Sequence, residues 1–145
     1  MAHLLTEFAA FQIASGLKRK SISLCSKWAE QYRIMGKPFP GPFNFLHHPW
    51  TKDVHDCIAE ITVTQKAAQM GWTETALDKV FKTIDIDGIS CLYVLPTDDD
   101  ANDFSASRFD PAIENSPHLA SLFSNVKNVK HKRAGTVNLF IRGSN

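Results

Sequence analysis

The chain has few cysteines and almost no net charge. Its three cysteines, Cys25, Cys57 and Cys91, stand far apart and form no C-x-x-C pair. This spacing argues against a disulfide framework or a zinc site, and it fits a reducing compartment. The 16 Lys and Arg residues nearly balance the 15 Asp and Glu residues, which leaves a formal net charge of +1. Any contact with nucleic acid therefore has to come from a local patch rather than from an overall field.

Long apolar runs are also missing. No stretch approaches the roughly 20 apolar residues of a membrane span, and the N-terminus lacks the basic start and apolar core of a signal peptide. What the chain does have is 43% hydrophobic residues, including 10 Phe, within 145 residues. That is enough for the core of a single domain.

One stretch organises the rest of the sequence. A β-branched run at residues 61–64 is followed by a loop of small residues and then by a helical pattern at residues 73–84. This is the strand–loop–helix context of a phosphate-binding loop, whose usual form is Gly, four variable residues, then Gly-Lys-Ser/Thr. Gly71 and Thr73 occupy the positions of the second Gly and the Ser/Thr. Lys66 occupies the first Gly position, and Trp72 stands where the Lys is expected.

The chemistry of nucleotide binding assigns roles to these residues. A nucleoside triphosphate needs N–H donors at a helix N-terminus, a hydroxyl for Mg²⁺ and a cation near the outer phosphates. Thr73 can supply the metal-binding hydroxyl, and Lys66 can supply the cation on a long flexible stem. The predicted ATP-binding residues are Lys66, Ala67, Ala68, Gln69, Met70, Gly71, Trp72 and Thr73. The alternative is an ordinary βα turn that binds nothing.

The loop also resembles a known family. Residues 66–74, KAAQMGWTE, look like the deviant phosphate loop of the large terminase subunits of tailed bacteriophages, the lambda-like GpA family. Further similar segments follow in the family's order: WAEQYR at 28–33, PGPF at 40–43, VLPT at 94–97, DFS at 103–105 and RFDP at 108–111. The resemblance covers residues 23–145.

The resemblance implies a function and partners. The expected protein is the ATP-binding part of the motor that packages viral DNA into procapsids, with ATP and Mg²⁺ as cofactors and Lys66 as its catalytic cation. The implied partners are double-stranded viral DNA, the small terminase subunit, the portal protein and further copies of the motor subunit, in the host cytoplasm. Residues 1–22 are the expected docking segment for the small subunit, and residues 23–145 the N-terminal part of the ATPase domain.

The expected fold class is α/β, with a P-loop NTPase-like parallel sheet that is incomplete and preceded by a helical segment. The pattern predicts parallel strands at 60–65 and 89–95, the second covered on both faces, and a third strand at 136–142. Helices are predicted at residues 23–35 (packed outside the sheet), 50–57, 73–85, 98–109 and 117–123. Thr97 is the predicted N-cap of the helix that begins at the acidic run 98–100.

Other residues leave two interpretations open. Trp50 is either a core residue or an aromatic that stacks on adenine. The histidines at 47, 48 and 55 lack a second cluster of metal-ligating residues, so we expect no metal there. Asp78 and Lys82 are expected to form an exposed i, i+4 pair. The basic cluster at 127–133 is either a solvated loop or an edge that faces DNA.

One catalytic part is missing from the sequence. ATP hydrolysis by such motors needs an acidic pair at the end of a buried strand to hold Mg²⁺ and orient water. No apolar run here ends in Asp-Glu, and the acidic residues of a nuclease domain are absent as well. The alternative to an active enzyme is therefore a truncated module that binds nucleotide or partners without turnover.

Overall fold

The computed structural model describes residues 24–123 and 126–145, with only the backbone described at 126 and 127. The predicted docking segment, residues 1–22, lies outside the described residues. The described helices are α1 (Cys25–Tyr32), α2 (Thr51–Asp56), α3 (Trp72–Lys82), α4 (Asp98–Phe104), α5 (Asp110–Asn115) and α6 (Pro117–Leu122). The described strands are β1 (Ile34–Met35), β2 (Gly41–Pro42), β3 (Cys91–Leu95), β4 (Val126–Asn128), β5 (His131–Ala134) and β6 (Val137–Gly143).

The main sheet is mixed rather than parallel. Its strand order is β3-β6-β5-β4. Strands β3 and β6 run parallel, whereas β5 pairs antiparallel with both β6 and β4. The prediction of an α/β domain is confirmed at this level, and the prediction of a wholly parallel sheet is wrong. The antiparallel part arises because the chain turns back directly between β4, β5 and β6, without the crossover connection that parallel strands need.

The predicted first strand is absent. Residues 61–64 form no strand, and Ile61 and Val63 are 82% and 91% exposed. The parallel partner of β3 is instead β6, with Tyr93 opposite Ile141. A β-branched run has strand character only when a neighbouring strand pairs with it, and this segment has no pairing partner within the described chain.

Strand β3 is covered on one face rather than on both. Cys91, Tyr93 and Leu95 turn toward the core, while Leu92 and Val94 are 63% and 53% exposed. The predicted third strand is confirmed as β6, where Leu139 and Ile141 are fully buried. The two strands therefore share one buried and one open face, as expected from the two-residue period of a strand.

The helices pack together on the buried side of the sheet. The core contains residues from α1, from α3 and from the chain beyond it, including Trp28, Leu77, Phe81, Phe109, Leu119, Leu139 and Ile141. Helix α1 was expected outside the sheet, and it contacts α2 and α3. Its Trp28 is fully buried, and the Trp28 indole N–H donates to Asp85 at 2.9 Å. Helix α1 is therefore an integral part of the helical layer.

Helix α3 and the helix that follows β3 were predicted well. Helix α3 continues into a π-helical turn, Thr83–Asp87, and α4 into a second, Ser105–Phe109, which leads directly into α5. The Thr97 hydroxyl accepts from the Asp100 N–H at 3.1 Å, so the predicted N-cap is confirmed. Helix α1 ends at Tyr32, short of the predicted end, because residues Ile34–Met35 pair with Gly41–Pro42 as a small hairpin.

Candidate nucleotide-binding site

A cavity of about 530 Å³ opens at the N-terminus of α3. Its walls come from the loop before α3, the β1–β2 hairpin, the segment before α2, and the stretch around α5. This volume lies within the range of small-molecule sites. Of the predicted site residues, the cavity is lined by Lys66, Gln69, Met70, Gly71, Trp72 and Thr73. Ala67 and Ala68 lie in the same exposed loop, and the Lys66 ammonium donates to the Ala67 carbonyl at 3.3 Å.

The loop bends sharply just before the helix. Gln69 has a φ of 58° and Gly71 a φ of 75°, both in the left-handed region. Glycine is the residue that adopts this region without strain, and a Cβ on Gly71 would also lie 3.1 Å from the His48 ring. A left-handed residue other than glycine often marks a functional site. Gln69 is therefore an independent sign that this loop has more than a connecting role.

Two side chains hold the loop from the segment before α2. A ring nitrogen of His48 lies 3.3 Å from the Gln69 carbonyl oxygen, and the Trp50 indole N–H donates to the Met70 carbonyl at 3.3 Å. Trp50 is 51% exposed and does not line the cavity. The interpretation of Trp50 as a core residue is thus wrong. The inward face of α2 is formed by Thr51 and His55 instead.

The cavity is rich in positive charge. Among the described residues, its lining includes four cationic side chains, Arg33, Lys37, Lys66 and Arg108, and one carboxylate, Glu74. Arg33 is 1% exposed and pairs with Glu74, so the other three cations carry the excess. The chain as a whole has a net charge of only +1, so this excess is local. A concave, cation-lined surface raises the local concentration of anions. The free N–H groups of the first turn of α3, an 11-residue helix, add a positive end to the same wall.

Beneath the cavity lies a buried network of charges that sequence reasoning missed. The Arg33 guanidinium donates to Asp78 at 2.5 Å, to Glu74 at 2.5 Å and to the Ala112 carbonyl at 3.3 Å. Asp78 is fully buried, and Lys82 pairs with Asp87 instead. The predicted exposed pair between Asp78 and Lys82 is therefore wrong. An i, i+4 rule considers only the helix itself, whereas Arg33 is brought in from the end of α1.

His55 completes this network. Its Nδ1 lies 2.8 Å from the Thr51 carbonyl oxygen, and its Nε2 lies 3.1 Å from Asp78 Oδ2. Both partners are hydrogen-bond acceptors, and each lies beside one ring nitrogen of His55. Asp78 therefore contacts both Arg33 and His55. The N-terminal half of α3 is thereby tied to α1 and α2.

Glu74 shows competing effects on its carboxyl group. Burial raises the pKa of Glu74, and the positive charges of Arg33 and Arg108 oppose that shift. The short contact with Arg33 acts to lower the pKa of Glu74, but burial has the larger effect, so the net shift is upward. The Glu74 side chain is still 24% exposed toward the cavity. It is the acidic group that a bound anion meets first.

No cluster suited to a metal ion appears among residues 24–123 and 126–145. His47 stacks on Phe39 with a centroid distance of 4.8 Å, His48 contacts the loop, and His55 is buried, so the three histidines point to separate partners. Thr73, the predicted Mg²⁺ ligand, lines the cavity. Mg²⁺ in nucleotide sites is bound largely by phosphates and water, and one hydroxyl beside the phosphates suits that arrangement.

The predicted basic cluster forms a hairpin rather than a loop. Lys132 is buried and bonds to Asp110 at 2.6 Å, and Lys130 bonds to Asp98 at 2.9 Å. His131 stacks on Phe140 at 4.8 Å. These partners neutralise much of the positive charge inside the domain. The cluster is therefore a weaker anion-binding surface than its sequence indicates.

The fold and cavity define an α/β domain with a cation-lined cavity at the start of a helix. Residues 37–143 match the family described as phage terminase large subunit gpA, ATPase domain. This match covers most of the chain, and the chain belongs to that family. The resemblance recognised from the loop motif is thus confirmed. A search of curated proteins and a search of solved structures each gave no significant match. No described helix is long and apolar enough to cross a membrane.

Proposed function

We propose that this chain is the ATP-binding portion of a phage terminase large subunit, the motor that drives viral DNA into procapsids. One observation carries the proposal. The segment that resembles the family's phosphate loop borders the cavity with four cations and one carboxylate, in a chain of the gpA ATPase family. A polyphosphate is the ligand that such a charge excess and a helix N-terminus favour together.

The role of each residue follows from its position in or beside the cavity wall. Lys66 supplies the cation for the phosphates, and the backbone N–H groups of the loop and of Gly71, Trp72 and Thr73 supply donors. The Thr73 hydroxyl serves as the protein ligand of a phosphate-bound Mg²⁺. Trp50 positions the loop through the Met70 carbonyl. Because Trp50 does not line the cavity, a role in stacking on adenine requires its side chain to turn inward.

The proposed DNA substrate and protein partners come from membership of the family. The ATPase domain of a packaging motor works on double-stranded DNA with a small terminase subunit, a portal protein and further motor subunits, inside the host cell. We extend these partners to this chain as part of the proposal.

A second form of the proposal is a module that binds nucleotide without turnover. It is favoured by the absence of an apolar run ending in Asp-Glu from the sequence.

A titration with an N-methylanthraniloyl (mant) ATP analogue tests the binding function. Saturable binding is expected, with Mg²⁺ strengthening it, and with competition by ATP and by inorganic triphosphate. Triphosphate has to compete because the cavity's charges recognise the phosphate chain. Hydrogen exchange in the complex should slow at residues 66–75 in particular. A lack of saturable binding, or protection confined to another part of the chain, would refute the proposal.

A further inference from the structure

Arg108 is a further cation of the cavity that the sequence did not single out as a binding residue. It lies on the π-helical turn Ser105–Phe109, far along the chain from the phosphate loop, and it lines the same cavity as Lys66 and Thr73. Its side chain is exposed. The cavity is therefore charged on two walls that belong to different elements.

The backbone beneath Arg108 is firmly held. The next residue, Phe109, is fully buried and packs edge-on against Phe81 at 5.7 Å and Tyr93 at 5.3 Å. On the same turn, the buried Ser105 hydroxyl donates to the Val129 carbonyl. An extra residue in a helical turn of this kind is frequent at functional sites. The turn gives Arg108 a fixed base, and only its side chain has to move to reach a ligand.

Arg108 also differs from the other arginine of the cavity. Arg33 is 1% exposed, and Asp78, Glu74 and the Ala112 carbonyl occupy its donors. No described side chain lies within hydrogen-bond distance of the Arg108 guanidinium. Its field reaches Glu74, where it opposes the effect of burial on the pKa of that carboxyl group. Arg108 is thus a cavity-lining cation whose donors have no partner among the described residues.

We propose that Arg108 binds the outermost phosphate of a nucleotide whose inner phosphates rest on the 66–73 loop, and so makes the site selective for triphosphates. The inference rests on the proposed function. A phosphate chain anchored at the loop has to extend across the cavity to meet a group on another element. A triphosphate extends further than a diphosphate, and a guanidinium forms paired hydrogen bonds with phosphate oxygens.

The proposal predicts a difference between ligands rather than a uniform loss. Arg108→Ala should weaken binding of mant-ATP about tenfold or more and change binding of mant-ADP little. Arg108→Lys keeps the charge but loses the paired geometry, so an intermediate loss for mant-ATP is expected. Lys66→Ala should weaken both ligands. Arg133→Ala is the matched control, because Arg133 is an exposed arginine of the β4–β5 hairpin outside the cavity.

The outcomes separate this inference from the proposed function. If the unaltered chain binds neither ligand, both fail. If it binds both, and Arg108→Ala weakens them equally or not at all, the inference alone is overturned and the proposed function stands. Thermal unfolding without nucleotide shows whether Arg108→Ala remains folded. If it does not, Arg108→Lys decides the matter through its ratio of mant-ATP to mant-ADP affinity, and an unchanged ratio overturns the inference.

Discussion

Arg33 and Asp78 form an ion pair in which both side chains are removed from water. Arg33 Nε lies 2.5 Å from Asp78 Oδ1, and the two side chains are 1% and 0% exposed. Arg33 directly follows α1, and Asp78 lies in the middle of α3, 45 positions after Arg33 in the sequence. The pair therefore fixes the helix that follows the candidate loop at 66–71 against the end of α1.

Loss of the Asp78 charge should strongly destabilise the fold. Removing one partner of a buried ion pair costs about 3–5 kcal/mol, because the other charge remains buried without compensation. Asp78→Asn leaves Arg33 and His55 facing a neutral amide, so we expect a loss in that range in urea-induced unfolding. Glu60→Gln is the control, since Glu60 is exposed in the loop after α2. Equal stabilities of the two variants would contradict this account of the network.

The raised pKa of Glu74 predicts a contribution to stability that falls as the pH rises. Because burial raises its pKa in the folded state, the folded chain holds this proton more tightly than the unfolded chain does. The resulting stability is fully present below the unfolded pKa of about 4.3 and is lost as the pH rises through the folded value. Glu74→Gln should therefore lose less stability than the unaltered chain as the pH is raised from acid toward neutral. An unchanged pH dependence would count against the buried carboxyl group.

The same substitution should strengthen anion binding. Glu74 is the single carboxylate among the described residues that line the cavity, and a carboxylate repels phosphate. Glu74→Gln removes that repulsion, so mant-ATP affinity should rise severalfold at neutral pH. Asp53→Asn provides the control, because Asp53 is an exposed residue of α2 that does not line the cavity. Weaker binding by Glu74→Gln would indicate that Glu74 helps to hold the ligand or its metal ion.

The three cysteines should react in a fixed order. The Ala59 N–H and the Thr62 hydroxyl lower the pKa of Cys57, whereas burial raises the pKa of Cys91 and raises that of Cys25 to about 12. The thiolate is the reactive form. Iodoacetamide at neutral pH should therefore modify Cys57 first and Cys25 last, as followed by peptide mass spectrometry. Early labelling of Cys25 in the folded chain would contradict the described packing of α1.

The sequence predicted those elements whose signal is local. The apolar period of α3, the Thr97 cap and the alternation of β6 each depend on nearby residues, and each is present. The strand at 61–64 failed because strand formation depends on a partner, and β3 pairs with β6 instead. Asp78 was misread for a related reason. Its surroundings are set by Arg33 and His55, which reach it only in the folded chain.

Some residues of the candidate site could be predicted from the sequence, and others could not. The loop from Lys66 to Thr73 was found from its spacing and from its resemblance to a family. Arg108 stands in the RFDP segment at 108–111, but it was given no binding role, because the sequence does not show that it lines the same cavity as that loop. The outward turn of Trp50 was also missed, since a helical period could not show that its indole bonds to the Met70 carbonyl.

ATP turnover by this chain alone should be very slow. The loop and Lys66 can hold a phosphate chain, but the sequence has no apolar run that ends in Asp-Glu. Loss of one such catalytic element typically costs on the order of 10³–10⁵ in rate, by analogy with the arginine finger of GTPases. A steady-state phosphate-release assay should compare this chain with a longer form that includes an acidic strand. Turnover near one per second by this chain would show that it already contains the acid.

Fluorescence titration of Lys66→Ala and Trp72→Ala with mant-ATP tests the central claim most directly. Lys66 occupies the first Gly position of the usual phosphate-loop pattern, and Trp72 occupies its usual lysine position. We predict that Lys66→Ala abolishes measurable binding, that Trp72→Ala leaves most of it, and that Lys52→Ala, an exposed lysine of α2, changes nothing. Equal losses in Lys66→Ala and Trp72→Ala, or no loss in either, would contradict the assignment of this loop as the nucleotide site.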